Sequence, residues 1–413
     1  MFAVLLLLAG PAQADTSELD ALSIADKAPS SESRQGRDWQ LFVEAAAGHA
    51  TQRMGAASAE NTRLSLDFSL DKSLVPGWRA ILANRIDVNW QNDPADQSSV
   101  NTLKEAYLSW QRTSDQIVDL GRINARHGVA SGYNPTDFFK AGAVRSVVSA
   151  DPNSLRRNRL GSVMLRAQTL WDSGSFSVLY SPKLATERSD APFNADLGAT
   201  NRQNRWLLAV TQQLAEGISP QWLLYGEDHR APQLGFNLAA LLNDATVAHV
   251  EWSGGQSRSM LSQALDGAED KAFRSRLSTG LTYTLLTRIS LTLEYAYNGA
   301  GLNRETWDAL RRGPLPAYVQ YRKVAADIQD LPTRQAVFMR ASWQDFMTSH
   351  LDLIAMARVN LDDRSRMQWL EARYRWDKVD LAVQWQRNSG HAGSEYGALP
   401  QTQMTRLLVT WFF

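Results

Sequence analysis

Residues 78–90 alternate strictly enough to limit what the chain can become. Trp78, Ala80, Leu82, Ile86, Val88 and Trp90 share one parity, broken only by Asn84, while Arg79, Arg85, Asp87 and Asn89 share the other. A period of two belongs to a β-strand whose faces meet different surroundings. At about 3.3 Å per residue and a tilt near 40°, the two Trp are separated by about 30 Å of depth, the thickness of a bilayer core. Trp at both ends of an apolar band suits the two membrane interfaces.

The pattern recurs. Leu64, Leu66, Phe68 and Leu70 oppose Arg63, Ser65, Asp67 and Ser69, and Leu370, Ala372, Tyr374 and Trp376 oppose Glu371, Arg373 and Arg375. Segments of this kind are expected at 38–49, 62–71, 78–91, 102–111, 115–123, 160–171, 174–184, 203–214, 218–227, 232–242, 245–253, 273–285, 289–298, 333–344, 349–359, 366–376, 378–387 and 402–413. Connections after even-numbered segments are short, such as Asp172-Ser173 or the single Asp377. Those after odd-numbered segments are mostly long: 124–159, 185–202, 254–272, 299–332 and 388–401. Sorting by parity predicts an all-β, antiparallel transmembrane β-barrel of about 18 strands (16–18), with short periplasmic turns and long extracellular loops. A soluble half-buried sheet also alternates, but it turns its apolar side inward and has no use for Trp at its strand ends. Propellers and β-helices repeat in sequence, and no repeat is visible.

The bulk properties agree. Charged residues make up 21% and mean hydropathy is −0.34, as expected when half of each strand faces water. Formal net charge is +0, which gives no reason to expect a nucleic-acid partner. There are 0 Cys, excluding disulfides and thiolate metal sites. Residues 2–9 are apolar and lead through Gly10-Pro11 to Ala12-Gln13-Ala14, so 1–14 reads as a cleavable leader, although a basic start is missing. Polar, Ser-rich 15–37 is expected to be a flexible periplasmic lead, and 38–413 the barrel.

A barrel of this size leaves an aqueous lumen unless loops fold in. Loop 124–159 is the expected constriction. Asn134-Pro135-Thr136-Asp137 favours a defined turn, Phe138-Phe139 gives an apolar anchor to the inner wall, and Arg126 and Arg145 are among its cations. Arg63, Arg79, Arg85, Arg166, Arg276, Arg340, Arg358, Arg373 and Arg375 fall on expected lumen faces; so do Asp67, Asp87, Glu105, Glu294, Asp352, Glu371 and Asp380. Arginine in a pore attracts anions; arginine beside a carboxylate is neutralised and only stiffens the wall. The pore-lining set carried forward is Arg79, Arg85, Asp87, Arg126, Arg166, Arg373 and Arg375. Arg122 shares its parity with Val118 and Leu120, so its face is left open.

Catalytic and metal sites are not expected. The six His are scattered without ligand spacing. Ser389-Gly390-His391 lacks a supporting pattern, and Asp228-His229 and Asp362-Asp363 only faintly resemble the sites of omptin-type barrel proteases, which are much shorter. No cofactor is expected.

The strand ladder, the leader and the final alternation Leu407, Val409, Trp411, Phe413 together resemble Gram-negative porin-type barrels, in size like the OprD, maltoporin or alginate-export kinds. The resemblance implies the bacterial outer membrane, contact with its lipid and lipopolysaccharide, and recognition of the terminal Phe413 by the barrel-assembly machinery. It implies passive, charge-selective diffusion of small anionic solutes, and no enzyme. Export of an anionic polysaccharide and a non-conducting scaffold or surface-binding barrel are the alternatives. Association into a homo-oligomer is left open.

Overall fold

The computed structural model describes residues 37–53, 58–91, 98–189 and 191–413. The leader expected at 1–14 and nearly all of the lead expected at 15–37 lie outside them. Eighteen strands follow in order: β1 (Trp39–Gln52), β2 (Ala59–Val75), β3 (Trp78–Gln91), β4 (Ser99–Thr113), β5 (Gln116–Ile123), β6 (Ser162–Trp171), β7 (Gly174–Ser181), β8 (Arg205–Gln212) and β9 (Gln221–Glu227) complete the first half. The second half is β10 (Gln233–Asn243), β11 (Thr246–Ser257), β12 (Ala272–Thr284), β13 (Ile289–Asn298), β14 (Gln335–Trp343), β15 (Leu351–Asn360), β16 (Arg366–Arg375), β17 (Val379–Ser389) and β18 (Gln401–Phe412). Each strand pairs antiparallel with its sequence neighbours, and β1 pairs with β18 from Phe42↔Phe412 to Gln52↔Gln401, closing the sheet on itself. Closure removes both edges, which an open sheet in lipid could not leave unsatisfied. No helix among the described residues is long and apolar enough to cross a membrane.

The two faces are inverted relative to a water-soluble sheet. Leu64 and Leu66 are each 43% exposed, whereas Ser65 is 0% and Asp67 4% exposed. Along β3 the large side chains Trp78 and Trp90 are exposed while Arg85 and Asp87 are buried. Trp39, Trp78, Trp110, Trp171, Trp222, Trp343, Trp376 and Trp411 all lie beside the short-turn rim, and all are exposed. Trp78 and Trp110 stack there with ring centroids 5.7 Å apart. This belt marks one membrane interface.

Local irregularities have identifiable causes. β4 gains one residue against β3 between Ala83 and Asn84, so Lys104 is bulged. The extra residue lets Lys104 point inward to Asp67, at 2.8 Å, while Tyr107 and Ser109 further along β4 are also turned toward the interior. In β5, Gly121 takes φ +138 where a Cβ would sit 2.4 Å from the Ala106 carbonyl oxygen. Arg122, whose face was open, is buried at 3% exposure.

The long connections carry small helices. They are α1 (Pro152–Arg157), α2 (Leu197–Thr200), α3 (Met260–Ala264), α4 (Arg304–Arg312) and α5 (Leu315–Ile328). α3, α4 and α5 share a core of Met260, Leu302, Trp307, Tyr318, Tyr321 and Ala325. Tyr318 donates to the Gly393 carbonyl and Arg322 to that of Glu395, tying this helical unit to the β17–β18 connection. Helices in 299–332 are not part of the sequence expectation, which gives that stretch only as a long connection.

Candidate functional site

Loop 124–161 leaves the wall after β5 and crosses the barrel interior. Its first pinning point is Glu251 on β11. That carboxylate accepts from the backbone N–H groups of Val129 (2.9 Å), Ala130 (3.1 Å) and Thr136 (2.8 Å), from the Asn134 side-chain amide (3.2 Å) and from the Thr136 hydroxyl (2.8 Å). Glu294 on β13 accepts from the Ser131 and Gly132 N–H groups, both at 2.7 Å. Consecutive N–H groups converging on a buried carboxylate are strong hydrogen bonds. Gly128 and Gly132 permit the approach: a Cβ on Gly128 would lie 2.5 Å from the Glu251 carboxylate, and one on Gly132 2.5 Å from the Phe338 ring. The Arg358 guanidinium donates to the Gly132 carbonyl at 3.1 Å.

The middle of the loop is anchored elsewhere on the wall. Phe138 stacks on Tyr225 of β9, centroids 4.5 Å apart and 4° from parallel, and Phe139 meets the same ring edge-on. Arg205 of β8 lies over Phe139. Arg159 grips Asp137 bidentately at 2.8 and 3.1 Å. Burial pushes the Asp137 carboxyl up, but Arg159 and Arg156 outweigh it and hold the group below its ordinary range. Lys140 and Arg276 of β12 both reach Asp330 at 3.0 Å, linking the loop to the segment after α5. Arg145 donates to the carbonyls of Asn101, Asn194 and Ser189. At the far side, Arg63 of β2 and Arg406 of β18 both donate to the Val148 carbonyl. The loop thus touches wall strands on all sides. Asn134, Phe138, Phe139 and Arg145 each make one of these contacts, Asp137 is held within the loop by Arg159, and Pro135, buried between Asn134 and Thr136, lies within the turn that seats on Glu251.

The wall arginines expected to line the pore are mostly held by acids. Arg85 lies 2.9 Å from Glu44, 2.9 Å from Asp87 and 3.7 Å from Asp67. With Arg63 and Lys104 these residues form a balanced network of three acids and three bases across β1–β4. Arg166 pairs with Asp119 at 2.7 Å, Arg373 with Glu371 at 2.9 Å and Asp380 at 3.4 Å, and Arg375 with Asp352. Arg79 pairs with Asp71 at the short-turn rim, where both are more than half exposed.

Two other arginines are differently placed. Arg340 (β14) and Arg358 (β15) point inward, half-buried, from diagonal positions, since Phe338 pairs with Arg358 and Arg340 with Met356. No ion pair holds either among the described residues, and the Nε of each is buried without a hydrogen-bond partner. Arg358 stands at the loop tip, where it donates to the Gly132 carbonyl. Arg126 and Arg166, in turn, border an internal cavity of about 210 Å³ lined also by His127, Gln168, Ser177, Thr211 and Gln221. Burial pushes the His127 imidazole down to about 4, so the ring is neutral near pH 7. No group of three His, Asp or Glu side chains converges as metal ligands do among the described residues.

A closed antiparallel 18-stranded barrel, apolar outside and polar inside, with an inward loop, is a porin-type transmembrane β-barrel. Comparison with solved structures gives the same fold. The chain resembles Acinetobacter baumannii OccAB1 (TM-score 0.58, 10% identity, covering 91% of this chain and 96% of that one). It also resembles Pseudomonas aeruginosa OccK5 (OpdH) (0.55, 10%, 91% and 97%) and OpdQ (0.54, 10%, 92% and 99%). At such identity the likeness speaks for fold alone. No protein-family model and no curated protein matches the chain.

Proposed function

We propose that the chain is an outer-membrane channel through which small anionic solutes diffuse passively past loop 124–161, without a covalent step. The observation that carries the anion preference is the Arg340–Arg358 pair: two inward guanidiniums at diagonal positions, Arg358 at the loop tip, with no carboxylate within ion-pair distance among the described residues. Wall donors of this kind replace part of a carboxylate's hydration shell and attract it from solution. Arg79, Arg85, Asp87, Arg373 and Arg375 become wall braces, because their charges are met by partners. Arg126 and Arg166 border a second polar space, where Asp119 offsets the Arg166 charge, so their role there is as secondary polar contacts with solute and not as the source of anion preference.

Replacing Arg340 and Arg358 together by Gln tests this. Measured in planar bilayers under a salt gradient, the reversal potential should move toward cation preference with little change in conductance. An unchanged reversal potential removes both residues from the selectivity assignment.

The scaffold reading has its own support in the contacts that pin the loop to opposite parts of the wall, at Glu251, Glu294, Tyr225 and Arg406. Absence of conductance steps in the native chain and in a loop-released variant alike would favour it. Export of a polysaccharide requires the loop to leave its seat.

A further inference from the structure

The outer face of β16–β18 reads as rows fixed by strand register. Nearest the short-turn rim, Val379 pairs with Trp411. The next rows are Tyr374–Leu381–Val409 and then Ala372–Val383–Leu407. Leu370–Trp385–Thr405 follows. The row after that is Gln368–Arg387–Gln403, and beyond it Arg366 faces Ser389. Polar groups replace apolar ones abruptly. Arg366 and Arg387 are both exposed, as is Arg364 in the connection above. Arg366 donates weakly to the Ser389 hydroxyl at 3.3 Å, and no ion pair holds any of the three among the described residues.

The height of this row is informative. Val379 and Arg387 are eight positions apart on one strand. At about 3.3 Å per residue and a tilt near 40°, that is about 20 Å of depth above the Trp belt. The apolar band of such barrels is about 25 Å tall. Arg387 therefore lies about 5 Å inside the upper edge of the band, from where its long side chain can reach up to the headgroups, and Arg366, level with Ser389 two positions further, stands at the edge itself. Arginine costs little near that edge, but among the described residues no carboxylate lies within ion-pair distance of Arg366 or Arg387 to offset its charge.

We propose that Arg366 and Arg387, flanked by Gln368 and Gln403, form a binding site on the barrel's outer wall for the phosphate of a phosphorylated glycolipid in the outer leaflet. Guanidinium matches a phosphate monoester bidentately. The amides of Gln368 and Gln403 provide donors and acceptors for sugar hydroxyls and acyl-ester carbonyls. Leu370, Val383 and Leu407 below supply the surface for the acyl chains; they are 47%, 46% and 46% exposed. The site uses the membrane sidedness of the fold and does not depend on whether the lumen conducts.

The test is native mass spectrometry of the full chain in detergent, incubated with bis-phosphorylated lipid A, its dephosphorylated counterpart or phosphatidylglycerol. The wild type should retain the phosphorylated glycolipid, and the Arg366→Gln/Arg387→Gln double variant should lose about fivefold of that retention or more, as expected for two charge-assisted contacts. Lys183→Gln, an exposed cation after β7, should retain it fully, and inorganic phosphate should not displace it. Because both arginines are exposed, the barrel should fold in the double variant, which heat-modifiable gel mobility checks. Equal retention by the double variant, equal binding of the dephosphorylated lipid, or full displacement by free phosphate overturns the proposal. So does a change of oligomeric state with lipid retention intact, which would make this face a contact between copies.

Discussion

Replacing Glu251 by Gln should unseat the loop without unfolding the barrel. One carboxylate oxygen takes the Thr136 N–H and hydroxyl; the other takes the Val129 and Ala130 N–H groups and the Asn134 amide. A Gln side chain presents an NH₂ to one of these two sets, whichever way it turns. The Thr136 hydroxyl can reverse its role, but a backbone N–H cannot. At least one backbone donor is then left facing another donor, and the rest lose charge assistance. Hydrogen bonds to a charged group contribute about 1.5–3 kcal/mol each, so losing one or two and weakening the others costs about 3 kcal/mol after relaxation. That is about a hundredfold in the population of loop-displaced molecules. The ladder of β10, β11 and β12 does not depend on this side chain, so heat-modifiable gel mobility should stay native. Single-channel recording should show larger or noisier steps, and a protease should cut within 124–161 where the wild type resists. A Glu251→Gln variant with unchanged conductance and unchanged protease resistance would refute the idea that this carboxylate seats the loop.

Two further outcomes follow from the same geometry. His127 is neutral in the folded chain, and burial holds its affinity for a proton down to about 4 against an ordinary value near 6.5. The folded loop therefore binds fewer protons than the released loop, and its seating is fully present above pH 6.5 and lost as pH falls from 6.5 toward 4. Conductance noise should rise across that window in the wild type and much less in His127→Gln; identical profiles would contradict this. Phe138→Ala removes a stacked contact with Tyr225 and should cost about 3–4 kcal/mol of loop seating, read as faster proteolysis within 124–161 with the barrel intact.

Much of the architecture was legible because each strand carries its own evidence. Ser65 and Leu66 announce opposite faces without reference to any other segment, and all eighteen expected segments overlap a strand. The limits moved where alternation is weak: 62–71 widened to Ala59–Val75, and 218–227 shortened to Gln221–Glu227. Connection lengths sorted by rim, although 228–232 and 361–365 are short on the long-loop side. The interior was less legible, since it depends on which distant residues meet. Glu251 seats Thr136 from 115 residues away, and nothing near Glu251 in sequence signals that role. The Phe138-Phe139 anchor could be read locally because paired aromatics in a polar loop need a surface. The pairing of Arg85 with Glu44 could not, because it requires β1 to lie against β2 and β2 against β3. Helices α4 and α5 were not legible, because α5 is only weakly amphipathic and the core of Trp307, Tyr318, Tyr321 and Ala325 exists only where α3, α4 and α5 meet.

The inverted faces are the claim on which the rest stands, and the 0 Cys of the chain allow a clean measurement. Ser177 lines the internal cavity, and its neighbour Val178 points outward at 36% exposure. In reconstituted vesicles, Ser177→Cys should react with a small water-soluble thiol reagent. A fluorophore on Val178→Cys should be quenched by a nitroxide carried on lipid acyl chains. Quenching at position 177 with aqueous reactivity at 178 would contradict the arrangement.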